Sequence, residues 1–225
     1  MTSGTILVDI DGTLFDANTT FDFLDHYFGD SWSYRLFRRF SKTFIGRVIN
    51  KLSIVICHVD MIRTIGVRRL KGYSITDLRN RGEGFYEDYL VKKKHEDVID
   101  AVKNEQALGY HIVLASATLD FLARMIAEKI NADGYTSTEL LYENGICLGL
   151  IKSDRLGQKE EALQKIGITF PVKKTYTDNI TDIYLLGKSE EGVVIVYPKE
   201  RRKWLRLKER HHLSHIIFIQ HENIV

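Results

Sequence analysis

Two aspartates, Asp9 and Asp11, stand two residues apart behind the apolar run Thr5-Ile6-Leu7-Val8 and just ahead of Gly12 and Thr13. A carboxylate so placed can attack phosphorus and form an aspartyl-phosphate. A second carboxyl two residues on can protonate the leaving oxygen and then activate water. Further chemistry-bearing groups close or follow other strand-like runs: Ser116 after His111-Ile112-Val113-Leu114-Ala115, Asp178 after Lys174-Thr175-Tyr176-Thr177, and Asp182 one helical turn beyond it. Lys159 opens a helical segment between them. Three crowded carboxylates repel one another unless a cation neutralises them. Oxygen-only donors suit a hard ion, Mg²⁺ above all, because it keeps waters and shares phosphate oxygens. A hydroxyl and an ammonium alongside are partners for phosphate, and such charges stabilise a phosphoryl group in transfer.

These groups converge only if the chain brings the ends of its apolar runs together. Thr5–Val8, the run at 111–116, the run at 174–177 and Gly192–Val196 are short and rich in β-branched residues, as expected of strands buried on both faces. Helical periodicity separates them: Val98, Ile99 and Val102 before Gly109, then Phe121 to Ile130, Gln158 to Ile166, Ile180 to Leu186, and a basic helix from about Lys199. Glu143-Asn144-Gly145 reads as a hairpin turn. Such alternation predicts an α/β fold, a Rossmann-like parallel sheet covered by helices on both faces. Ligands of such sheets bind beyond the carboxyl ends of the strands, where the polar groups fall. Residues 19–92 differ. Phe21, Leu24 and Phe28 share one helical face, Leu36, Phe37, Phe40 and Phe44 another, and Val48, Leu52, Val55, Val59 and Ile62 continue at spacings of three and four. Ser74-Ile75-Thr76-Asp77 is a capping signal for a further helix. We expect an inserted α-helical cap of about four helices.

Asp9-Ile10-Asp11-Gly12-Thr13 behind an apolar strand resembles the first motif, DxDGT, of the haloacid dehalogenase superfamily. Val113-Leu114-Ala115-Ser116 resembles the second motif, Lys159 fits the third, and Thr177-Asp178-Asn179-Ile180-Thr181-Asp182 the fourth. The insert stands where that family carries its C1 cap. Order, spacing and Leu114-Ala115-Ser116-Ala117-Thr118 are most similar to the phosphoserine-phosphatase-like branch, over residues 5 to 205. The resemblance implies a core domain of residues 1–16 and 93–225 and a cap of residues 17–92. It implies a Mg²⁺-dependent phosphatase with Asp9 as nucleophile and metal ligand, and Asp11 as acid/base with its main-chain carbonyl on the metal. Gly12, Thr13, Ser116, Ala117 and Lys159 would surround the phosphate, Asp178 would bind the metal, and Asp182 would support it from close by. In phosphoserine phosphatases an acid nine residues after the nucleophile recognises the serine amine. Here that position is the uncharged Asn18, which counts against phosphoserine as the small phosphomonoester, although Asp16 nearby weakens the objection. The alternative on the same scaffold is a phosphotransferase, or a phosphate-ligand binding protein without turnover.

The net charge of +2 is unevenly spread. Arg35 to Lys71 holds ten Lys/Arg against one acid, Asp60, and Lys199 to Arg210 holds seven against two, leaving −12 for the rest. Phe37, Phe40, Phe44, Ile45 and Val48 alternate there with Arg35, Arg38, Arg39, Lys42 and Arg47. The plainest reading is a cap core with a solvated basic face. A second anionic group on the substrate and a peripheral contact with anionic membrane are the competing ones. The basic segments lack an aromatic stacking pattern, so no nucleic acid is expected. Met1-Thr2-Ser3-Gly4 lacks an export pattern, and no run reaches the roughly 20 apolar residues needed to cross a bilayer, so a cytoplasmic enzyme is expected. Cys57 and Cys147 read as buried small hydrophobes, and His211, His212 and His215 as a helix end rather than a metal site. Ile216-Ile217-Phe218-Ile219 fits either an edge strand or a packed tail, and oligomeric state is not legible.

Overall fold

The computed structural model describes residues 4–57 and 59–220. The expectation drawn from Met1 to Ser3 lies outside them. Seven strands form one sheet: β1 (Thr5–Val8), β2 (His111–Leu119), β3 (Gly134–Glu143), β4 (Ile146–Ser153), β5 (Val172–Thr177), β6 (Ser189–Val196) and β7 (Ile216–Gln220), in the order β4-β3-β2-β1-β5-β6-β7. All neighbours are parallel except β3 and β4, an antiparallel hairpin turned by Asn144 (φ 48) and Gly145 (φ 78). Two successive positive φ values make the tight turn that Asn-Gly favours. The open question at residues 216–219 resolves as a parallel edge strand beside β6.

Alternate residues of β1 face opposite layers, as strand geometry requires. Ile6 and Val8 pack with Val98 and Val102 of α6 (Glu96–Ala107) and Leu122 and Ile126 of α7 (Asp120–Lys129). Leu7 packs with Leu163 of α8 (Lys159–Lys165) and Leu185 of α9 (Ile183–Leu186). Trp204 of α10 (Arg201–Arg210) fills the same side further out, against Val194 and Val196. The segment 180–186 is not one helix: a 3-10 turn at Ile180–Asp182 precedes α9. β1 lies at the centre, with β2 on one side and β5 on the other, so the chain reverses its direction of travel across the sheet there. The carboxyl end of β1 is therefore the crevice position.

Between β1 and β2 runs the helical insert: α1 (Thr19–Phe28), α2 (Trp32–Lys42), α3 (Phe44–Cys57), α4 (Met61–Val67) and α5 (Ile75–Asp88). Among the described residues it has five α-helices where about four helices were expected. Phe23, Leu24, Val67, Leu78 and Phe85 of the insert belong to the same continuous apolar cluster as Ile6 and Val8. Its return path is joined to β4 by main-chain bonds, Gly72 N–H to Cys147 O and Cys147 N–H to Tyr73 O, both 2.8 Å, and Ile75 N–H to Gly145 O, 2.9 Å.

Two expectations fail in this insert. The apolar residues of α2 and α3 do not form a cap core: Phe37 is half-buried, but Phe40 and Val48 are exposed, and Phe44 is 74% and Ile45 64% exposed. Gly46 explains the geometry, since a Cβ there would stand 2.3 Å from Phe40 O. α3 turns its small residue toward α2 and its large ones outward. Cys57, at the end of α3, is exposed, whereas Cys147 is buried as expected.

Candidate active site

Asp9 follows β1 and Asp178 follows β5, two parallel neighbours, so their carboxyl ends stand side by side. Asp9 N–H is bonded to Tyr176 O at 2.9 Å. The Asp9 carboxylate is buried, with Oδ1 accepting from Ile10 N–H at 2.7 Å and Oδ2 from Lys159 Nζ at 2.6 Å. Lys159 is equally buried and donates also to Asp182 Oδ2 at 2.6 Å. Thr177 fixes that second carboxylate through its hydroxyl, 2.8 Å away. Burial alone would lower the Lys159 pKa; the charges of Asp9 and Asp182 outweigh it and hold the ammonium protonated above the ordinary lysine range.

Asp11 aims at the insert, its Oδ1 accepting from Thr19 N–H at 2.9 Å at the start of α1. Burial pushes its carboxyl up to about 6, against the hydrogen bonding from Thr19. Burial also pushes Asp178 up, to about 8, aided by the charge of Asp9. Ser116 sits where the β2–β3 ladder breaks register between Ala115 and Leu119. Its buried hydroxyl meets Thr118 Oγ1 at 3.0 Å, which in turn meets Thr19 Oγ1 at 3.0 Å. A chain of hydroxyls thus links the end of β2 to α1.

Gly12 has φ +68, and a Cβ there would stand 2.1 Å from Asp178 Oδ2. Both facts require glycine. Gly12→Ala should therefore destabilise the protein by about 1–3 kcal/mol in urea unfolding, since the left-handed backbone is strained for alanine and Asp178 must move. Thr13 is placed differently from expectation. Its hydroxyl lies beneath the cleft, fully buried, accepting from Asp178 N–H at 2.9 Å rather than facing a phosphate. The loop after β5 has claimed it.

Over these groups opens a cleft of about 780 Å³, lined by Asp9, Asp11, Gly12, Ser116, Ala117, Lys159 and Asp178 of the expected set. Asp182 supports it from behind, through Lys159. The insert contributes the opposite wall. Asn18 lines it but is engaged as the helix cap of α1, accepting from Phe21 N–H at 3.1 Å. Asp16, Asp22 and Asp60 are the acids of that region, and Lys199 and Lys203 line the cleft from the start of α10. Arg63 of α4 was not singled out by sequence: it is buried in the wall, donates to Ala117 O at 3.1 Å and pairs with Asp154. Among the described residues its Nε has no hydrogen-bond partner. Nothing in its spacing marked it, because only the path of the insert brings it over the sheet.

The donor set fits a hard divalent cation. Asp9, Asp11 and Asp178 all line the cleft, where the neighbouring ammonium, Lys159, is already shared by Asp9 and Asp182, and the pKa of Asp178 is raised chiefly by burial, with the charge of Asp9 adding to it. Among the described residues no three His, Cys, Asp or Glu side chains are grouped to hold a metal. The expected set supplies two side chains, Asp9 and Asp178, with the main-chain carbonyl of Asp11 as its third protein ligand.

The family model described as haloacid dehalogenase-like hydrolase matches residues 6–187. A comparison with curated proteins finds no match. Among solved structures, a protein with unknown function from Bordetella pertussis Tohama I is similar at TM-score 0.71 and 18% identity, over 96% of this chain and 99% of that one. A phospho-aspartyl intermediate analogue of phosphoserine phosphatase is similar at TM-score 0.57 and 17% identity, over 90% and 91%. A phosphoserine phosphohydrolase-like protein from Francisella tularensis subsp. tularensis SCHU S4 is similar at TM-score 0.58 and 14% identity, over 95% and 94%. At these identities the likeness is one of fold.

Proposed function

The chain belongs to the haloacid dehalogenase-like hydrolase family, and from that premise we propose that it is a Mg²⁺-dependent phosphatase of a small phosphomonoester. The observation that carries this reading is the buried Asp9–Lys159–Asp182 arrangement, with both contacts at 2.6 Å, at the floor of the cleft. It orients the Asp9 carboxylate and keeps one fixed positive charge beside the reacting oxygen.

In the first step an Asp9 carboxylate oxygen bonds to phosphorus and the bond to the substrate's leaving oxygen breaks. Asp11 gives that oxygen its proton. A carboxyl pushed up to about 6 retains a protonated fraction at neutral pH, as an acid in this role requires. In the second step water attacks the aspartyl-phosphate, Asp11 takes the water's proton, and the bond to Asp9 breaks to release phosphate. Ser116 and the main chain at Gly12 and Ala117 would hold the phosphate oxygens, and Lys159 would offset their charge. Thr13 and Asp182 act through their neighbours, positioning Asp178 and Lys159. Mg²⁺, held by Asp9, Asp178 and the Asp11 carbonyl, would neutralise the carboxylates and the charge on the phosphoryl oxygens. Hydrolysis of a generic aryl phosphate with and without Mg²⁺ tests the proposal, and turnover undiminished by chelation would count against it.

A second measurement needs no turnover. Asp178, held up to about 8, is mostly protonated at pH 7 and must ionise to bind a cation. Mg²⁺ binding is expected to release about one proton per ion, read by titration calorimetry in two buffers of different ionisation enthalpy. The sign for stability follows. A carboxyl raised in the folded state stabilises the metal-free protein at acid pH, and that contribution is lost as pH rises through 8. Mg²⁺ should therefore raise the unfolding temperature more at pH 8 than at pH 6. Binding without proton release would remove Asp178 from the ligand set.

A further inference from the structure

We propose that the α2–α3 hairpin is a docking surface for an anionic membrane. Helix α3 is amphipathic in the inverted sense. Phe44, Ile45, Val48, Leu52, Val55 and Ile56 span an arc of about 120° at 100° per residue, and all six are exposed. The residues of α3 that meet protein are small or polar and lie on the opposite face, where Ile54 and Cys57 are exposed beside them. Gly46 lies against Phe40, Asn50 Oδ1 accepts from Ile62 N–H at 2.9 Å, and Ser53 Oγ donates to Val59 O at 2.9 Å. On α2 the same division holds: Tyr34 and Ser41 are buried, while Trp32, Leu36 and Phe40, spaced by four, face outward. The two stripes lie on one packed hairpin.

An apolar patch of this extent marks an interaction site, and the charges around it select the partner. Arg35, Arg39, Lys42, Arg47 and Lys51 are exposed on the same two helices, and residues 31–57 contain no acid. Arg38, the remaining base, is tied to Asp25 at 2.6 Å. A second copy meeting this face would double the positive charge with nothing in the hairpin to offset it. An anionic lipid surface offers what both features need, headgroup charge for the bases and acyl chain for the apolar arc. Trp32 and Phe44 are aromatic residues of the kind that settle at that boundary. At 14 residues α3 is about 21 Å long, and among the described residues no helix is long and apolar enough to cross a membrane. The hairpin would lie in the interface rather than span it.

Vesicle flotation of the full chain tests this, with phosphatidylcholine alone beside an equal mixture of phosphatidylcholine and phosphatidylserine. The expected result is binding to the mixed vesicles at low salt and little to the neutral ones. Arg39→Ala/Arg47→Ala/Lys51→Ala should weaken binding roughly 100-fold, at about fivefold per base removed. Phe44→Ser/Leu52→Ser should abolish it, with far-UV dichroism and aryl phosphate turnover unchanged because these side chains touch neither core nor cleft. No binding to the mixed vesicles, or binding indifferent to both variants, overturns the proposal. So does a dimer in sedimentation velocity that Phe44→Ser/Leu52→Ser dissociates without any vesicle binding, which would assign the face to a second copy. The inference is independent of the phosphatase reading, since flotation reads out without catalysis.

Discussion

Asp9→Asn is expected to abolish aryl phosphate hydrolysis, by on the order of 10⁴-fold or more, in a protein that still folds. The carboxamide has no nucleophilic oxygen with a full charge, so the first bond to phosphorus cannot form at a useful rate. The substitution nevertheless keeps the shape. An amide oxygen can still accept from Ile10 N–H, now 2.7 Å from Oδ1, while the amide nitrogen faces Lys159 and loses one ion pair. Asp182 remains to neutralise that lysine. Loss of turnover should thus come with only a moderate drop in stability. Mass spectrometry of enzyme quenched during turnover should find phosphate on the peptide containing Asp9 in wild type and none in the variant. Turnover within tenfold of wild type would take the nucleophile away from Asp9.

The second large effect concerns Lys159→Met, a substitution close in volume. The lysine is 5% exposed and lies between two buried carboxylates. Removing it leaves Asp9 and Asp182 facing each other without a cation, a change that costs about 3–5 kcal/mol when one partner of a buried set is lost. Activity should vanish as well, since the fixed charge beside the phosphoryl group goes with it. In wild type the lysine's contribution is level through the acid and neutral range, because its raised pKa means the charge is lost only at strongly alkaline pH. In the variant the cost is that of buried acids left without their cation, and Asp182 is the one whose protonation relieves it. Burial already holds Asp182 up even beside the lysine, and without the lysine's charge it takes up a proton more readily. The penalty relative to wild type should therefore be largest near pH 8 and shrink toward pH 5, in urea unfolding at the two values. An equal penalty at both would mean that packing, not charge, is what the lysine supplies.

The catalytic candidates were legible because each of Asp9, Ser116 and Asp178 follows or interrupts a strand-like run, and a parallel sheet leaves one edge where such ends can meet. Lys159 and Asp182 gained meaning only from that set. What stayed hidden depends on non-local paths. Thr13 sits in the DxDGT motif, yet its hydroxyl belongs to the Asp178 loop, 165 residues away. Arg63 reaches the cleft because α3 and α4 fold back over the sheet, which no spacing encodes. The stripe on α3 was visible as periodicity, but an apolar face looks the same in sequence whether protein covers it or solvent does. β7 was ambiguous for a related reason: five residues at a sheet edge carry too little pattern to separate a strand from a packed tail.

The bonds from Gly72, Tyr73 and Ile75 to Gly145 and Cys147 bear on how this protein can be recombined. A graft of residues 17–92 onto another sheet, or their excision from this one, would strand peptide groups on both sides of that seam, and buried unpaired peptide groups are costly. The insert is therefore not separable at its sequence boundaries, and because β3 is laddered to β2, moving the β3–β4 hairpin with it would only open a second seam.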